Sequence, residues 1–366
     1  MNGEKRILAL LNGAVTDGVF PGAVLLVSRA GHRLFFQAVG SAALLPAPRP
    51  MTVHTIFDLA SLTKPLATAL AVLIVASRSN LSLDSPLADL LARRSIPRDK
   101  AALTLRQLLS HSAGFPAWKP YYLELEKLPP ADRKRRLHEF LLEEPLEYAP
   151  GEGSLYSDLG FLVIQWIFEE RTATDLHRFT QENLYEPLGC PTLSYRPLQQ
   201  TAAQNPRDFA ATEQCPWRGR VLNGEVHDEN AYVMGGVAGQ AGLFGTAADV
   251  GRLLDAIIRT RAGIGAGLPW VPERLEEFLH RVYPEPARTW ALGFDTPAAV
   301  GSSAGCRFSL ETVGHLGFTG TSFWLDLRRQ LAVILLTNRV HPTRANDKIK
   351  AFRPVLHDAA MEEFGS

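Results

Sequence analysis

Strand-forming segments occur at both ends of this 366-residue chain, and a long helix-rich block separates them. Near the start, "AVLLVSRAGHRLFFQAVG" has β-branched and aromatic runs on either side of a polar break at Ala30-Gly31, a pattern typical of a hairpin. Near the end, "TWALGFD" and "TVGHLGFTGTSFWLDLRRQLAVILLTNR" carry the same strand signals. One sheet built from both ends accounts for this order, with the helical block leaving the sheet and returning to it.

Helical signals dominate from Ser61 to about residue 200, and an amphipathic segment precedes the first strand. We therefore predict an α+β fold, an α/β sandwich whose antiparallel sheet is flanked by N- and C-terminal helices and carries an inserted, mostly helical lobe. The predicted organisation is one catalytic unit over residues 1–366. Residues 1–60 plus 220–366 form its α/β lobe and residues 61–219 its helical lobe, and pockets commonly form between such lobes.

The charge balance makes a small or neutral molecule the expected partner. Lysine plus arginine equals aspartate plus glutamate, at 38 each, so no net field favours nucleic acid or an anionic membrane. We find no stretch of the roughly 18–20 apolar residues that a membrane span needs, and no signal peptide. Cys190, Cys215 and Cys306 lack paired spacing and are expected to be reduced thiols. These observations predict a cytoplasmic protein and leave its oligomeric state open.

The segment "FDLASLTKPLATAL" places Ser61 three residues before Lys64, so a helix brings both side chains to one face. Pro65 is tolerated only in a first helical turn, which predicts that the helix begins near Ser61. A serine hydroxyl needs a base, and lysine serves only when neutral. Desolvation, a neighbouring cation or the positive helix end lowers a lysine pKa. The tetrapeptide alone is more often a solvated helix face.

Two later segments strengthen a catalytic interpretation. "EYAPGEGSLYSDLGF" places Tyr156 after a Pro-Gly turn and before an apolar helix, where its phenol is suited to acid–base work. "VGHLGFTGTSFW" places His315-Leu-Gly317 in a strand, where a glycine allows close approach of a ligand. The N–H of Phe318, just after Gly317, and that of Ser61 then make a plausible oxyanion hole.

Ser61-Leu-Thr-Lys64, Tyr156-Ser-Asp158 and His315-Leu-Gly317, in this order, resemble the three motifs of the serine β-lactamase and penicillin-binding-protein superfamily. Their context resembles the class C-like branch, which includes family VIII carboxylesterases, D-amino-acid peptidases and muropeptide amidases. The resemblance implies that Ser61 is acylated and that Lys64 accepts its proton or acts electrostatically. It implies that Tyr156 relays the proton and activates the deacylating water. His315 completes the predicted catalytic set, and no metal or organic cofactor is implied.

Two positions depart from the family pattern. Asp158 stands where asparagine is usual, and an ionised Asp158 near Lys64 opposes its deprotonation unless the carboxylate turns away or is protonated. His315 stands where lysine usually provides a fixed cation for a substrate carboxylate, and histidine is mostly neutral at pH 7. Binding of penicillin-like anions is therefore expected to be weak.

The stretch "GEVHDENAYVMGGVAGQAGLFGTAADV" predicts a tight loop over the cleft, with residues 227–230 either lining it or forming a structural hydrogen-bond cluster. His227 is predicted to bind substrate. Together with "TNRVHPTRAN", this stretch resembles a cytosolic subgroup of muropeptide amidases. Arg339 and Arg344 then suit a lactyl or peptide carboxylate, against the commoner surface or capping role of an arginine.

Two competing nucleophile or base candidates are weaker. His111 in "LLSHSAGFP" follows a helix and is assigned a structural role. Ser303 in "GSSAG" matches the G-x-S-x-G elbow of α/β-hydrolases, but the strand and helix that this motif needs are absent from the pattern around it.

The combined prediction is a serine hydrolase that forms an acyl-enzyme at Ser61 and cleaves an ester or amide, as a carboxylesterase or an N-acetylmuramyl-peptide amidase does. A class C-type β-lactamase or D-Ala-D-Ala carboxypeptidase is the near alternative. A non-catalytic penicillin- or muropeptide-binding relative is the alternative of a different class, and the intact Ser61, Lys64 and Tyr156 argue against it.

Overall fold

The computed structural model describes residues 3–92, 94–198, 205–264 and 267–365. Its α-helices are α1 Gly3–Thr16, α2 Leu70–Arg78, α3 Leu87–Leu90, α4 Arg98–Ala101, α5 Leu105–Leu109, α6 Tyr122–Leu125, α7 Pro130–Glu143, α8 Asp158–Thr172, α9 Leu176–Thr180, α10 Glu229–Val233, α11 Ala247–Arg261, α12 Pro272–Leu279 and α13 Ile349–Phe364. Short 3₁₀ turns span Ala60–Leu62 and Pro206–Asp208, and π-helical turns span Lys64–Ala69 and Gln181–Tyr185. Its strands are β1 Gly22–Arg29, β2 His32–Ala43, β3 Arg49–Pro50, β4 Phe57–Asp58, β5 Ser194–Tyr195, β6 Ala211–Cys215, β7 Arg220–Asn223, β8 Leu243–Gly245, β9 Thr312–Leu316, β10 Ser322–Asp326 and β11 Leu331–Thr337.

The main sheet joins the two ends of the chain. Its strand order is β3-β2-β1-β11-β10-β9, and every neighbouring pair is antiparallel. The central pair β1 and β11 aligns Leu25 with Leu335 and Val27 with Val333. Both strands are apolar runs rather than alternating ones, because both faces of the sheet are covered.

Successive residues of β1 and β11 enter two different cores, as the two-residue period of a strand requires. Leu25 and Leu335 pack against the terminal helices α1 and α13. Val24, Leu26 and Ile334 face the other way, into the larger core that contains α11 and the helical block. The sheet is therefore the layer that separates the terminal helices from the rest of the protein.

One continuous helical stretch, Ala60–Arg78, is long and apolar enough to cross a membrane by length and composition, which corrects the expectation that no segment reaches that length. Within this stretch, 83% of the 18-residue window that meets the criterion is buried inside the protein. It packs in the large core through residues such as Leu66, Leu70 and Leu73. The apolar composition is thus explained by burial in the protein interior.

The predicted antiparallel sheet with flanking helices and an inserted helical block is confirmed. So is the hairpin at Ala30-Gly31, where both residues adopt the positive φ angles of a tight turn. The predicted strand in "TWALGFD" is wrong: residues 289–295 form no named strand, and Asp295 alone makes an isolated bridge to Gly314. The segment instead carries Trp290 to the cleft, so its apolar residues serve packing. The division into lobes at residues 60 and 220 stays a prediction.

Candidate active site

Ser61 lies at the start of the buried helix, as predicted, in a sharp turn. Ala60 before it has a φ of 49°, a left-handed conformation that costs a non-glycine residue roughly 1–2 kcal/mol. The Asp58 carboxylate holds this turn by accepting from Ala60 N at 2.9 Å and from His227 N at 2.7 Å. Because the first amides of a helix have no intrahelical acceptor, the Ser61 N–H is available to a ligand.

Three predicted catalytic side chains meet at the Ser61 hydroxyl. Lys64 Nζ lies 3.2 Å from Ser61 Oγ, one helical turn away, and the Tyr156 hydroxyl lies 2.7 Å from the same oxygen. Lys64 Nζ also lies 4.8 Å from the centre of the Tyr156 ring. Tyr156 therefore contacts the candidate nucleophile although it lies 95 positions after it in the sequence.

Lys64 is completely buried. Its ammonium donates to the Gln240 carbonyl at 3.1 Å and forms an ion pair with Asp158 Oδ1 at 2.6 Å. Burial lowers the pKa of Lys64, and the charge of Asp158 opposes that shift without reversing it. Asp158 therefore does not turn away from the lysine, which was one of the arrangements considered from the sequence.

Tyr156 is held in place by its neighbours. Ser157 caps helix α8, and its amide donates to His111 Nδ1 at 3.0 Å, so that nitrogen is an acceptor. The Tyr156 ring packs on His111 and on Trp290, with centroid distances of 4.8 and 5.6 Å. Burial and the Asp158 charge raise the pKa of Tyr156 well above its ordinary value, so the group is a neutral phenol. His111 is buried beneath the tyrosine and positions it, in line with its assigned structural role.

The third motif lies on β9 and on the turn after it. His315 Nδ1 lies 2.8 Å from the Leu316 carbonyl, and burial lowers the pKa of His315 to about 3, so the imidazole is neutral. Thr321 Oγ1 donates to the Leu59 carbonyl at 3.0 Å and ties this turn to the segment that carries the nucleophile. A Cβ at Gly317 would overlap Thr321 Oγ1 and lie 2.7 Å from Leu59 O, so the close approach requires glycine.

The predicted oxyanion donors lie on these two joined segments. Among the residues that the structure describes, the Phe318 amide has no hydrogen-bond acceptor. Its side chain is half exposed and lines the same cleft as Ser61 and Gly317. The Thr321–Leu59 hydrogen bond fixes the distance between the two donor segments. A developing oxyanion requires preorganised N–H groups, and these two amides stay the predicted donors.

The three motifs open into one cleft of about 660 Å³. Its lining residues are Ala60, Ser61, Ala117, Trp118, Tyr156, Asp158, His227, Asp228, Glu229, Gln240, Ala241, Trp290, Asp295, His315, Leu316, Gly317, Phe318, Arg339, Arg344, Asp347, Ile349, Lys350 and Arg353. Every residue predicted for the site is in this set except Lys64, which is completely buried, and Asn230. Trp118, Trp290 and Gln240 were not predicted, because an isolated aromatic or amide carries no spacing signal in a sequence.

His227 and Arg344 reach the cleft as members of one ionic cluster. His227 Nε2 lies 3.1 Å from Glu213 Oε2, and Arg344 pairs with Glu213 and with Glu229. His227 also stacks on Phe318, with ring centroids 5.6 Å apart. These side chains therefore line the cleft and also form a structural hydrogen-bond cluster. The two alternatives predicted for this loop occur together.

The side chains of Arg339 and Asn230 are bonded to loops around the cleft. The Arg339 guanidinium donates to the carbonyls of Phe318, Arg344 and Asn346 and so holds the turn that contains Phe318. Asn230 Oδ1 accepts a hydrogen bond from the Tyr122 amide, and Asn230 Nδ2 donates one to the Lys119 carbonyl. Both side chains therefore stabilise loops around the site.

Ser303 does not meet the requirements of a nucleophile elbow. The described residues 301–311 form no strand or helix, and Ser303 does not line the cleft. Its carbonyl accepts a hydrogen bond from His357 Nδ1 at 2.7 Å. The surroundings of Ser303 therefore agree with the sequence analysis, which ranks it as a weak candidate for the nucleophile.

Comparisons with known proteins agree with this geometry. A family model described as Beta-lactamase matches residues 8–354. A relative from Salmonella agona (strain SL483), named "Putative D-alanyl-D-alanine carboxypeptidase", is 32% identical over 365 residues, covering 91% of this chain and 82% of that protein. EstCE1, "a hydrolase with promiscuous acyltransferase activity", has a TM-score of 0.72 at 21% identity and covers 96% of this chain and 98% of its own.

A second solved structure shows the same fold. The octameric penicillin-binding protein homologue from Pyrococcus abyssi has a TM-score of 0.73 at 18% identity, covering 98% of this chain and 79% of its own. At these identities the solved structures establish the fold, and the family model and the Salmonella relative establish the family. The chain therefore belongs to the Beta-lactamase family and is a serine hydrolase of the β-lactamase-related type.

Proposed function

We propose that this hydrolase cleaves a small ester or amide through an acyl-enzyme at Ser61. The observation that carries the proposal is the contact of Ser61 Oγ with both Lys64 Nζ and the Tyr156 hydroxyl, at 3.2 and 2.7 Å. In the first step the Ser61 oxygen attacks the scissile carbonyl and its proton passes to neutral Lys64. The oxyanion accepts from the amides of Ser61 and Phe318, and its collapse expels the leaving group.

The division of roles follows from the environments of the two groups. Tyr156 is a phenol with a raised pKa and so does not hold a negative charge: it gives its proton to the leaving oxygen or nitrogen as it takes the proton that Lys64 received from Ser61. Burial makes Lys64 the more readily available base for Ser61. In deacylation a water takes the place of the leaving group, and the same groups act in reverse.

The third motif supports esters and amides over penicillins. A neutral His315 provides no fixed cation for a β-lactam carboxylate. The arginines of the cleft do not replace it: Arg339 donates to carbonyls, and Arg344 pairs with two glutamates. The proposed substrates are therefore short esters and the amide bonds of small peptides, including N-acetylmuramyl peptides.

A D-alanyl-D-alanine carboxypeptidase is the second candidate, and the name of the Salmonella relative favours it. That reaction requires binding of a terminal carboxylate. Arg344 lines the cleft and is partly exposed, and to bind that carboxylate it has to exchange one of its two glutamate partners for the substrate. The carboxypeptidase requires Arg344 to bind a substrate carboxylate, whereas the hydrolysis of a simple ester does not.

A substrate panel separates these candidates. We expect p-nitrophenyl butyrate to be hydrolysed by the wild-type protein and not by Ser61→Ala, and a cephalosporin to be turned over at least tenfold more slowly. Cleavage of an N-acetylmuramyl dipeptide supports the amidase, and release of D-alanine from a D-Ala-D-Ala peptide that is lost in Arg344→Ala supports the carboxypeptidase. Equal ester hydrolysis by the wild type and Ser61→Ala would refute the mechanism.

A further inference from the structure

The cleft of the nucleophile contains two carboxylates that, in the part of the chain that the structure describes, have only one paired cation between them. Asp158 and Asp228 both line the cleft. Among the described residues, Lys64 is the one cation that forms an ion pair with Asp158, and none forms one with Asp228. Gln240 connects the two aspartates, because its carbonyl accepts from Lys64 Nζ, the partner of Asp158, and its side chain donates to Asp228. Burial and then the charge of Asp158 raise the pKa of Asp228 to about 6. This end of the cleft therefore carries excess negative charge.

Gln240 adds a buried acceptor to the same place. Its side chain is 1% exposed, and its amide Nε2 donates to Asp228 Oδ1 at 3.2 Å. A carboxylate accepts hydrogen bonds and cannot donate them, so this contact requires the nitrogen to face Asp228. Gln240 Oε1 is then fixed as an acceptor at the wall of the cleft, and it has no donor among the described residues.

His315 provides a second buried acceptor without a donor. Its Nδ1 faces the Leu316 carbonyl, so Nδ1 carries the proton of the neutral ring and Nε2 carries the lone pair. The side chain is 2% exposed and lines the cleft, and no described donor reaches Nε2. Buried acceptors are normally satisfied, so an unpaired one at a binding cleft indicates a ligand donor.

The cations of the cleft do not fill this need. Arg353 donates to the carbonyls of Gly317 and Thr321, and Lys350 pairs with Asp347. Arg339 and Arg344 are held by the partners described above. Near Lys64 the described part of the cleft therefore has two buried acceptors without a donor, Gln240 Oε1 and His315 Nε2, and two carboxylates with one paired cation between them. The complementary ligand is a cation that donates several hydrogen bonds.

We propose that Asp158, Asp228 and Gln240 Oε1 form a subsite for a protonated amino group of the substrate. The proposal rests on the acyl-enzyme function above and narrows its substrate class to aminoacyl esters and amides with a free amine. A primary ammonium has three donors and no acceptor, which matches this set. Because Asp158 is linked through Lys64 to Ser61, the amine lies close to the scissile carbonyl, as in an α- or β-amino acyl group.

The bound ammonium also assists the base. It competes with Lys64 for Asp158, and a cation beside a lysine disfavours the protonated form of that lysine. Substrates with a free amine therefore gain in the rate of acylation as well as in binding. A purely structural role for the two aspartates has no such effect on kcat.

The test compares ligands that differ only in this charge. D- and L-alaninamide and isobutyramide have the same shape, with an ammonium in the first two and a methyl group in the third. Each is measured for protection of Ser61 against a fluorophosphonate probe at pH 7.5. The corresponding alanine and isobutyryl p-nitroanilides give kcat and KM. A charged hydrogen-bonded contact is expected to give an alaninamide enantiomer at least about a tenfold advantage in protection.

Asp228→Asn is the informative variant, because asparagine also caps a helix and so preserves the start of α10. It is expected to reduce the advantage to less than threefold. Asp347→Asn is the matched control, since Asp347 lines the same cleft but is exposed and already paired with Lys350. It is expected to leave the ratio unchanged. Circular dichroism checks that each variant is folded.

Equal protection by alaninamide and isobutyramide overturns the subsite. So does an advantage that Asp228→Asn retains, or one that Asp347→Asn removes to the same extent. If the probe labels Ser61 normally while the preference is absent, the subsite alone fails. If the probe does not label Ser61 at all, the proposed acyl-enzyme function fails as well.

Discussion

Gly317→Ala is predicted to disable the oxyanion hole without touching a catalytic side chain. The added methyl would overlap Thr321 Oγ1 and lie 2.7 Å from the Leu59 carbonyl. Neither neighbour yields easily, because Leu59 is backbone and Thr321 Oγ1 is hydrogen bonded to it at 3.0 Å. Relief of the clash must therefore move the turn that carries the Phe318 amide away from Ser61.

The size of the effect follows from what is lost. Removal of one oxyanion donor costs about 10²–10³ in kcat, and overpacking a tight contact costs about 1–3 kcal/mol of stability. We therefore expect kcat/KM for p-nitrophenyl butyrate to fall at least 100-fold. The free energy of unfolding in urea is expected to fall by about 1–3 kcal/mol, which leaves the protein folded at 25 °C.

Gly13→Ala is the matched control. Gly13 lies in α1, and a methyl group added there would meet no atom outside the backbone of its own helix within 4 Å. Alanine in a helix is more stable than glycine by about 0.5–1 kcal/mol, so this variant gains stability and keeps its activity. A Gly317→Ala protein whose kcat/KM stays within twofold of the wild type would refute the predicted geometry of the oxyanion hole.

Two further variants test the charges around the site. In Asp158→Asn, Lys64 loses the charge that raises its pKa, so the acidic limb of the kcat/KM profile for p-nitrophenyl butyrate moves to lower pH; a move to higher pH contradicts the assignment of Lys64 as base. Glu213→Gln tests the wall: burial raises the pKa of Glu213, but hydrogen bonds from His227 and Arg344 outweigh it and lower the pKa to about 2. A carboxyl group whose pKa is lowered on folding stabilises the fold at any pH above its ordinary pKa of 4.5. The free energy of unfolding of the variant in urea at pH 7 is therefore expected to be lower than that of the wild type by about 1–3 kcal/mol. The difference from the wild type is expected to shrink as the pH falls from about 4.5 towards 2, and a constant difference would count against the ionic cluster.

The strands of the sheet were predictable from runs of β-branched and aromatic residues, although an unbroken apolar run does not show which residue faces which core. In β1 the residues from Val24 to Val27 are all apolar, and the structure assigns them alternately to the two cores. The hairpin turn at Ala30-Gly31 follows from local turn chemistry. "TWALGFD" shows the limit of this reasoning, because β-forming residues also pack in irregular segments when tertiary contacts are available.

The active site was predictable as far as spacing and motif order allow. Ser61 and Lys64 are one helical turn apart, and Tyr156 was identified from its position between a turn and a helix. The ion pair of Asp158 was not predictable, because the direction of a side chain depends on the packing around it. The ion pairs of Arg344 were not predictable either, because its partners Glu213 and Glu229 lie more than a hundred residues away in the sequence.

Covalent trapping on Ser61 tests the central claim most directly. The wild-type protein is mixed with p-nitrophenyl butyrate, quenched in acid within the burst phase, digested and mapped by mass spectrometry. We predict a butyryl group on the peptide that contains Ser61, and none in Ser61→Ala. A butyryl group found instead on Ser303, or one that persists on another residue at the same level in Ser61→Ala, would contradict the account.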